Sequence, residues 1–281
     1  MIIDAHTHIF PPKVISSREK YFTDQAFSLL YNNDKSSMAD ASILLKYMDE
    51  SGIDAAVAMS FPWRDAKTCS LHNSYMASVM KEFRGRIYCF GMVPLAPGRD
   101  EVFRRAKEIK GAGLAGIGEI GFYSEGFTRE NALFLRHLLE AAGREDLPLC
   151  LHVNEPVGHM YSGKYKPGLD ELYTILGEFR EVSVILAHWG GGLFLYELMH
   201  EVREALAHVY YDTAATPYLY GQGIYDAAIA AAGADKIIFG SDFPLLRMER
   251  YTGAMSSLDP GTRERIMCGN ALGLMRRSKA T

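Results

Sequence analysis

The chain has 281 residues, 48% hydrophobic and 23% charged, with a formal charge of −4. That length suits two ordinary domains, or one α/β barrel of roughly 250 residues with insertions, and the composition is that of a globular chain with a full core. The mild negative charge argues against a nucleic-acid partner, which would favour a basic face, and no apolar run approaches the roughly 20 residues that cross a bilayer.

In chain order, a first strand is expected at Ile2–Thr7, followed by a long connection over residues 9–38. The segment "ADASILLKYMDESG" then opens on polar cap candidates and closes at Gly52, as a helix does. Next come strand Ala55–Ser60, helix "NSYMASVMKEF", strand Ile87–Val93, helix "DEVFRRAKEIKGAG", strand Leu114–Ile120 and helix "RENALFLRHLLEAAG". Strand Pro148–Val153 leads into a second long connection, residues 154–168, and then helix "DELYTILGEF". The last third reads as strand Val182–His188, helix "FLYELMHEVREALAH", strand Val209–Asp212, helix "YDAAIAAAGA" and strand Lys236–Gly240. A final "GTRERIMCGNALGLMRRSKA" is helical after its opening Gly-Thr.

Eight strands alternate with helices, and most are apolar on both faces, as parallel strands covered by helices are. The pattern predicts a single-domain (β/α)8 TIM barrel over residues 1–281. An open doubly wound sheet is the alternative, but its Gly-rich first turn is absent. The four cysteines, Cys69, Cys89, Cys150 and Cys268, form no CxxC pair. With no basic region and apolar run in residues 1–9, they suggest a reduced, cytoplasmic protein.

A barrel of this kind does its chemistry where the strands end. Strand one ends in His6 and His8, strand four carries Glu119, strand five ends in His152, strand six in His188, and strand eight in Asp242. Period-two alternation puts Asp4, His6 and His8 on one face of strand one, toward the barrel mouth. Ile3, Ala5 and Thr7 fall on the other, against helices. Imidazoles and carboxylates converging on one rim suit a divalent ion: Zn(II), Mn(II), Fe(II) or Ni(II). An isolated HxH, strand-end histidine or helix-capping GSD would carry little weight; the joint pattern is specific.

These motifs resemble the amidohydrolase superfamily of metal-dependent barrel enzymes. "IDAHTHIF", "AHWGG", "FGSDFP" and "IMCGNALGLM" are similar to its amidohydrolase-related branch, which includes aminocarboxymuconate-semialdehyde decarboxylase. The likeness runs from Ile2 to Met275. It implies that His6, His8, His152 and Asp242 hold a primary metal, most simply Zn(II). It also implies that His188 binds a second ion, polarises the substrate or moves a proton. Many two-metal members carry a carboxylated lysine on strand four; here "GIGEIGF" resembles the GEIG of TatD-type hydrolases, with Glu119 as a ligand able to bridge two ions. One ion or two stays open.

The chemistry implied is hydrolysis of a small-molecule amide, ester or lactone by metal-activated water, with Asp242 as general base and then acid. A decarboxylase or hydratase using the same metal is the alternative, and a TatD-like nuclease is disfavoured by the lack of a basic cluster. Asp4 is expected beneath the ligands, orienting a histidine. Candidate substrate contacts are Trp63 and Arg64 in "FPWRD", and Glu155, His159 and Lys164 in the loop after His152. Arg64 or Lys164 over the metal would favour the lyase alternative. The expected partners are a small-molecule substrate and, at most, a second copy of the chain in a homodimer.

Overall fold

Eight short runs of buried residues form strands β1 (Ile3–His8), β2 (Ala55–Met59), β3 (Ile87–Gly91) and β4 (Gly116–Ile120), then β5 (Leu149–Leu151), β6 (Val184–Leu186), β7 (Val209–Asp212) and β8 (Ile237–Ile238). In the computed structural model, which describes residues 1–95 and 98–277, they are all parallel and hydrogen-bonded in sequence order. The ring closes between β1 and the chain after β8: Ala5 N donates to Phe239 O (2.9 Å) and His8 N to Phe243 O (2.7 Å). This is the (β/α)8 barrel expected from the strand pattern.

The helices follow from local signals. Asp40 caps Ala41–Ser51 by accepting from Ile43 N, and Gly52 ends it in the left-handed conformation (φ 66°). Asp65 caps Ala66–Glu82 and Thr128 caps Arg129–Arg144 in the same way. The connection after β1 contains two short α-helices, Pro12–Ser16 and Gln25–Tyr31, with a 3-10 turn at Arg18–Tyr21 between them, whereas residues 154–168 contain no helix. The expected helix "FLYELMHEVREALAH" is interrupted: only His200–Ala205 is α-helical, and residues 188–198 form a separate turn. The expected C-terminal helix is present as Pro260–Glu264, a π-helical turn over Arg265–Gly269 and Asn270–Arg277; residues 278–280 of that segment lie outside the described residues. Among the described residues, no helix is long and apolar enough to cross a membrane.

Two apolar layers flank the strands. The barrel interior holds Ile3, Ala5, Val57, Phe90, Cys150 and Ile185, with Leu274 and Met275 of the last helix packed against them. The outer layer, between strands and helices, includes Ala56, Ile117, Ile120, Leu149 and Val184.

Two irregularities in this pattern place the polar site. β1 takes three steps from Asp4 to Thr7 where β2 takes two from Ala56 to Ala58. β4 takes three steps from Ile117 to Ile120 where β5 takes two from Leu149 to Leu151. Each is a bulge, which re-aims every side chain beyond it. Strict alternation from Ile3 would turn His6 outward, and strict alternation from Ile117 would do the same to Glu119. The extra residue turns both inward. The shared face expected for Asp4, His6 and His8 is therefore corrected: Ile3 and Ala5 point into the barrel, and Asp4 points outward to Tyr47 (3.0 Å).

Candidate metal centre

The six strand-end residues come together on one floor. His6 is fully buried, and its Nε2 lies 3.1 Å from His8 Nε2. Asp242 Oδ1 is 3.3 Å from His8 Nε2 and 3.7 Å from His6 Nε2. Glu119 stands between two histidine pairs. Its Oε2 is 3.7 Å from His8 Nε2, while its Oε1 lies 3.7 Å from His6 Nε2, 3.1 Å from His152 Nδ1 and 3.5 Å from His188 Nε2. His152 Nδ1 and His188 Nε2 are 3.0 Å apart. His6, His8 and Glu119 form one compact donor triad, and Glu119, His152 and His188 form another.

Each donor is aimed by a partner behind it. His6 Nδ1 donates to Asp212 Oδ2 (2.7 Å), which leaves the Nε2 lone pair facing the cluster. Asp212 Oδ1 accepts from the backbone N–H groups of His188 (2.9 Å) and Ala214 (3.0 Å). One carboxylate thus fixes two histidines. His188 Nδ1 donates to Ala214 O (3.1 Å) and presents Nε2 to the site. Asn154, oriented by Tyr165 N donating to its Oδ1, donates from Nδ2 to His152 Nε2 (2.9 Å), so neutral His152 carries its proton on the inward Nδ1, facing Glu119 Oε1 (3.1 Å), and an ion bound there would displace that proton. Tyr123 donates to Glu119 Oε2 (3.0 Å).

Asp4 acts one step further out. It accepts from Ser241 N (2.9 Å), Ser241 Oγ (2.5 Å) and Tyr47, anchoring the residue before Asp242. The orienting role expected of Asp4 belongs to Asp212.

The backbone is strained where donors leave the strands. His188 (φ 56°), Ala215 (φ 56°) and Asp242 (φ 66°) are left-handed without being glycine. Residues 188–192, "HWGGG", form one left-handed turn. Each non-glycine residue there costs on the order of 1–2 kcal/mol. Gly191 is required: a Cβ would come within 2.2 Å of Asn154 O. The turn is held by Asp212 on His188 N and by Trp189 Nε1 donating to Thr216 Oγ1 (2.8 Å).

Charge follows from this packing. Burial would raise the Asp242 carboxyl, but a hydrogen bond from His8 and the nearness of His6 and His188 bring it down to about 2. Burial works the same way on Glu119, and His152 and His6 overcome it, holding the group well below the usual carboxylate range. His188 is opposed by burial yet raised to about 9, chiefly by its hydrogen bond to Glu119 and the charge of Asp242. His152 moves the other way, because its burial outweighs the Glu119 charge. Both carboxylates are anionic at neutral pH and available as electron-pair donors.

This donor set fits a divalent ion. Ligands about 2.0–2.1 Å from a tetrahedral centre stand about 3.3 Å apart, close to the His6–His8 and His8–Asp242 spacings of 3.1 and 3.3 Å.

Above the floor is a cavity of about 700 Å³. His159 lines it, together with Tyr31, Phe61, Tyr123, Tyr161 and Lys35. The other expected substrate contacts are placed elsewhere. Trp63 is only 1% exposed, sits among Phe10, Phe27 and Phe61, and donates its Nε1–H to His72 Nδ1 (2.9 Å). Arg64 pairs with Glu125. Lys164 donates to Val157 O (2.5 Å) and lies 3.8 Å from Glu155, whose Oε2 also accepts from Tyr161 (3.2 Å). These contacts tie the loop down and do not line the cavity. Asp212, Tyr123, Asn154 and Lys35 were not anticipated. Asp212 ends β7 as the other donors end theirs, so the strand-end rule reaches it. A second, more open cavity of about 980 Å³ lies at the other end of the barrel, lined by Lys81, Arg84 and Gly113, away from every donor.

The model of a family described as amidohydrolase matches residues 3–277. No curated protein sequence matches the chain. Among solved structures, the chain is similar to 5-carboxyvanillate decarboxylase from Sphingomonas paucimobilis, with a TM-score of 0.75, 14% identity and 98% of each chain covered. It is similar to a dihydroxybenzoic acid decarboxylase from Polaromonas with bound manganese and the inhibitor 2-nitroresorcinol. There the TM-score is 0.72 at 16% identity, over 98% of this chain and 96% of that one. It is also similar to 4-oxalomesaconate hydratase from Rhodopseudomonas palustris (TM-score 0.67, 20% identity, covering 100% of this chain and 97% of that one).

Proposed function

The chain belongs to the amidohydrolase family, and on that premise we propose that it is a metal-dependent lyase, a decarboxylase or hydratase of a small unsaturated acid. The carrying observation is the cavity: aromatic walls from Tyr31, Phe61, Tyr123 and Tyr161 stand over a floor of imidazole and carboxylate donors. Such walls suit a planar substrate. Decarboxylases and a hydratase among the structural neighbours support the same reading.

His6, His8 and Asp242 would hold the ion, and the triad of Glu119, His152 and His188 supports a second, with Glu119 shared. A divalent ion there, Zn(II) first by its donors and Mn(II) next, would supply Lewis-acid polarisation of a substrate oxygen. The chain's own groups handle protons. In a decarboxylation the C–CO2 bond breaks and the carbon takes up a proton. His188, with Nε2 turned to the site, and Asp242 are the groups placed to move it. The tyrosine-lined walls orient the ring and limit water. The cysteines, none in a disulfide, support a cytoplasmic setting.

Hydrolysis of a small amide, ester or lactone is the second reading. An ionised Asp242 beside the ion-binding histidines favours it, because a general base is what hydrolysis needs. The test supplies hydroxylated benzoates and, separately, simple esters and lactones to metal-replete protein, and measures CO2 release and product hydration. CO2 release or hydration is expected; ester or lactone turnover without either would replace the lyase reading by the hydrolytic one.

A further inference from the structure

We propose that the substrate carries a second anionic group at the end away from the metal donors, and that Lys35 binds it. The inference rests on the acid-lyase reading above and specifies the substrate class. Lys35 lines the same cavity as His8, Glu119 and Asp242, but at its exposed lip, while those donors are buried or nearly so. It belongs to the segment after helix Gln25–Tyr31, and its backbone N donates to Asn33 Oδ1 (2.9 Å), which pins the turn.

Charge around the mouth singles this lysine out. Arg18 pairs with Asp34 (2.6 Å), Arg64 with Glu125, and Lys164 is taken by Val157 O and Glu155. Among the described residues, no carboxylate pairs with the Lys35 ammonium, and no other lysine or arginine lines the cavity. An acid with one anionic group uses it at the metal floor and leaves Lys35 idle. A planar acid with anionic groups at both ends meets the floor with one, the aromatic walls with its middle, and Lys35 with the other. His159, also exposed at the lip, adds a second donor there. At about 700 Å³ the cavity falls in the ordinary range for small-molecule sites, roughly 300–1,000 Å³, with room for such a molecule.

The experiment measures calorimetric binding of isophthalate, with two carboxylates, and benzoate, with one, to the metal-replete protein. Isophthalate is expected to bind about fivefold more tightly, the equivalent of the roughly 1 kcal/mol an exposed ion pair reaches. Lys35→Met should erase that advantage while leaving benzoate within about twofold, and Lys35→Arg should restore it. Because Lys35 is exposed, neither change threatens folding. An isophthalate advantage that survives in Lys35→Met, or equal losses for both acids, overturns the assignment and leaves the lyase reading standing. If neither acid binds the wild type while neutral benzamide does, the acid reading itself fails, and this inference with it.

Discussion

His6 at the end of β1 and Lys35 on the connection that follows it serve the same cavity under opposite conditions. His6 is fully buried, with Asp212 behind one ring nitrogen and His8, Glu119 and Asp242 before the other. Lys35 is exposed and has no carboxylate partner among the described residues. The floor is pre-organised by groups whose partners are all inside the protein, so its donor side chains converge without moving. At the rim the Lys35 backbone is pinned by Asn33, but its ammonium is left for whatever enters. On the proposed reading the difference separates two jobs: the floor would set the chemistry, and the rim would choose the molecule.

That division can be broken at several points. Asp242→Ala removes the group proposed as both ion donor and proton carrier, and should lower kcat/KM about 100- to 10,000-fold in steady-state assays. Near-normal turnover would move the chemistry off the floor. Asp212→Asn touches no substrate but can no longer hold His6 and the His188 backbone as before. It should weaken metal affinity about 10- to 100-fold, read by competition with a chelator.

A structural counterpart lies under the rim. The Trp63 indole can only donate, so His72 Nδ1 accepts and its Nε2–H donates to Ile9 O (2.8 Å). Burial pushes His72 down to about 4 from an ordinary 6.5. Between those values the unfolded chain binds more protons than the folded one. This group's contribution is therefore fully present above pH 6.5 and lost as pH falls toward 4, on the order of 3 kcal/mol in all. Burial raises Asp4 to about 6, which acts in the opposite sense. Urea unfolding at pH 7 and pH 5 should show a smaller acid loss in His72→Gln than in the wild type. The smallest effect belongs to Lys164→Met: its ammonium is already satisfied within the loop, so KM should change less than about twofold.

The barrel was legible in the sequence because most strands are short runs apolar on both faces, alternating with helical patterns, several of which begin at Asp or Thr caps. The six floor residues were legible because each ends a strand or stands near its end. What escaped were the bulges in β1 and β4. Nothing in "IDAHTH" marks an extra residue, so simple alternation put Asp4 on the wrong side. In β4 there was a signal: a glycine inside a strand suggests a bulge or a close approach, and a Cβ on Gly118 would meet Cys150 O at 2.7 Å. The break in the helix after β6 falls at Met199, which is extended (φ −87°, ψ 126°), and nothing in "FLYELMHEVREALAH" marks it. Trp63, Arg64 and Lys164 stand off the cavity lining, held by His72, Glu125 and Val157 O, partners that tertiary packing sets and the sequence does not show.

Metal content tests the floor most directly. Wild-type protein purified without chelator and loaded with Zn(II) or Mn(II) should hold at least one equivalent of divalent metal per chain by plasma mass spectrometry, and His6→Ala, folded by circular dichroism, should lose most of it. Wild-type protein that retains no ion after loading, or a His6→Ala variant that keeps its full complement, would contradict a metal-binding floor.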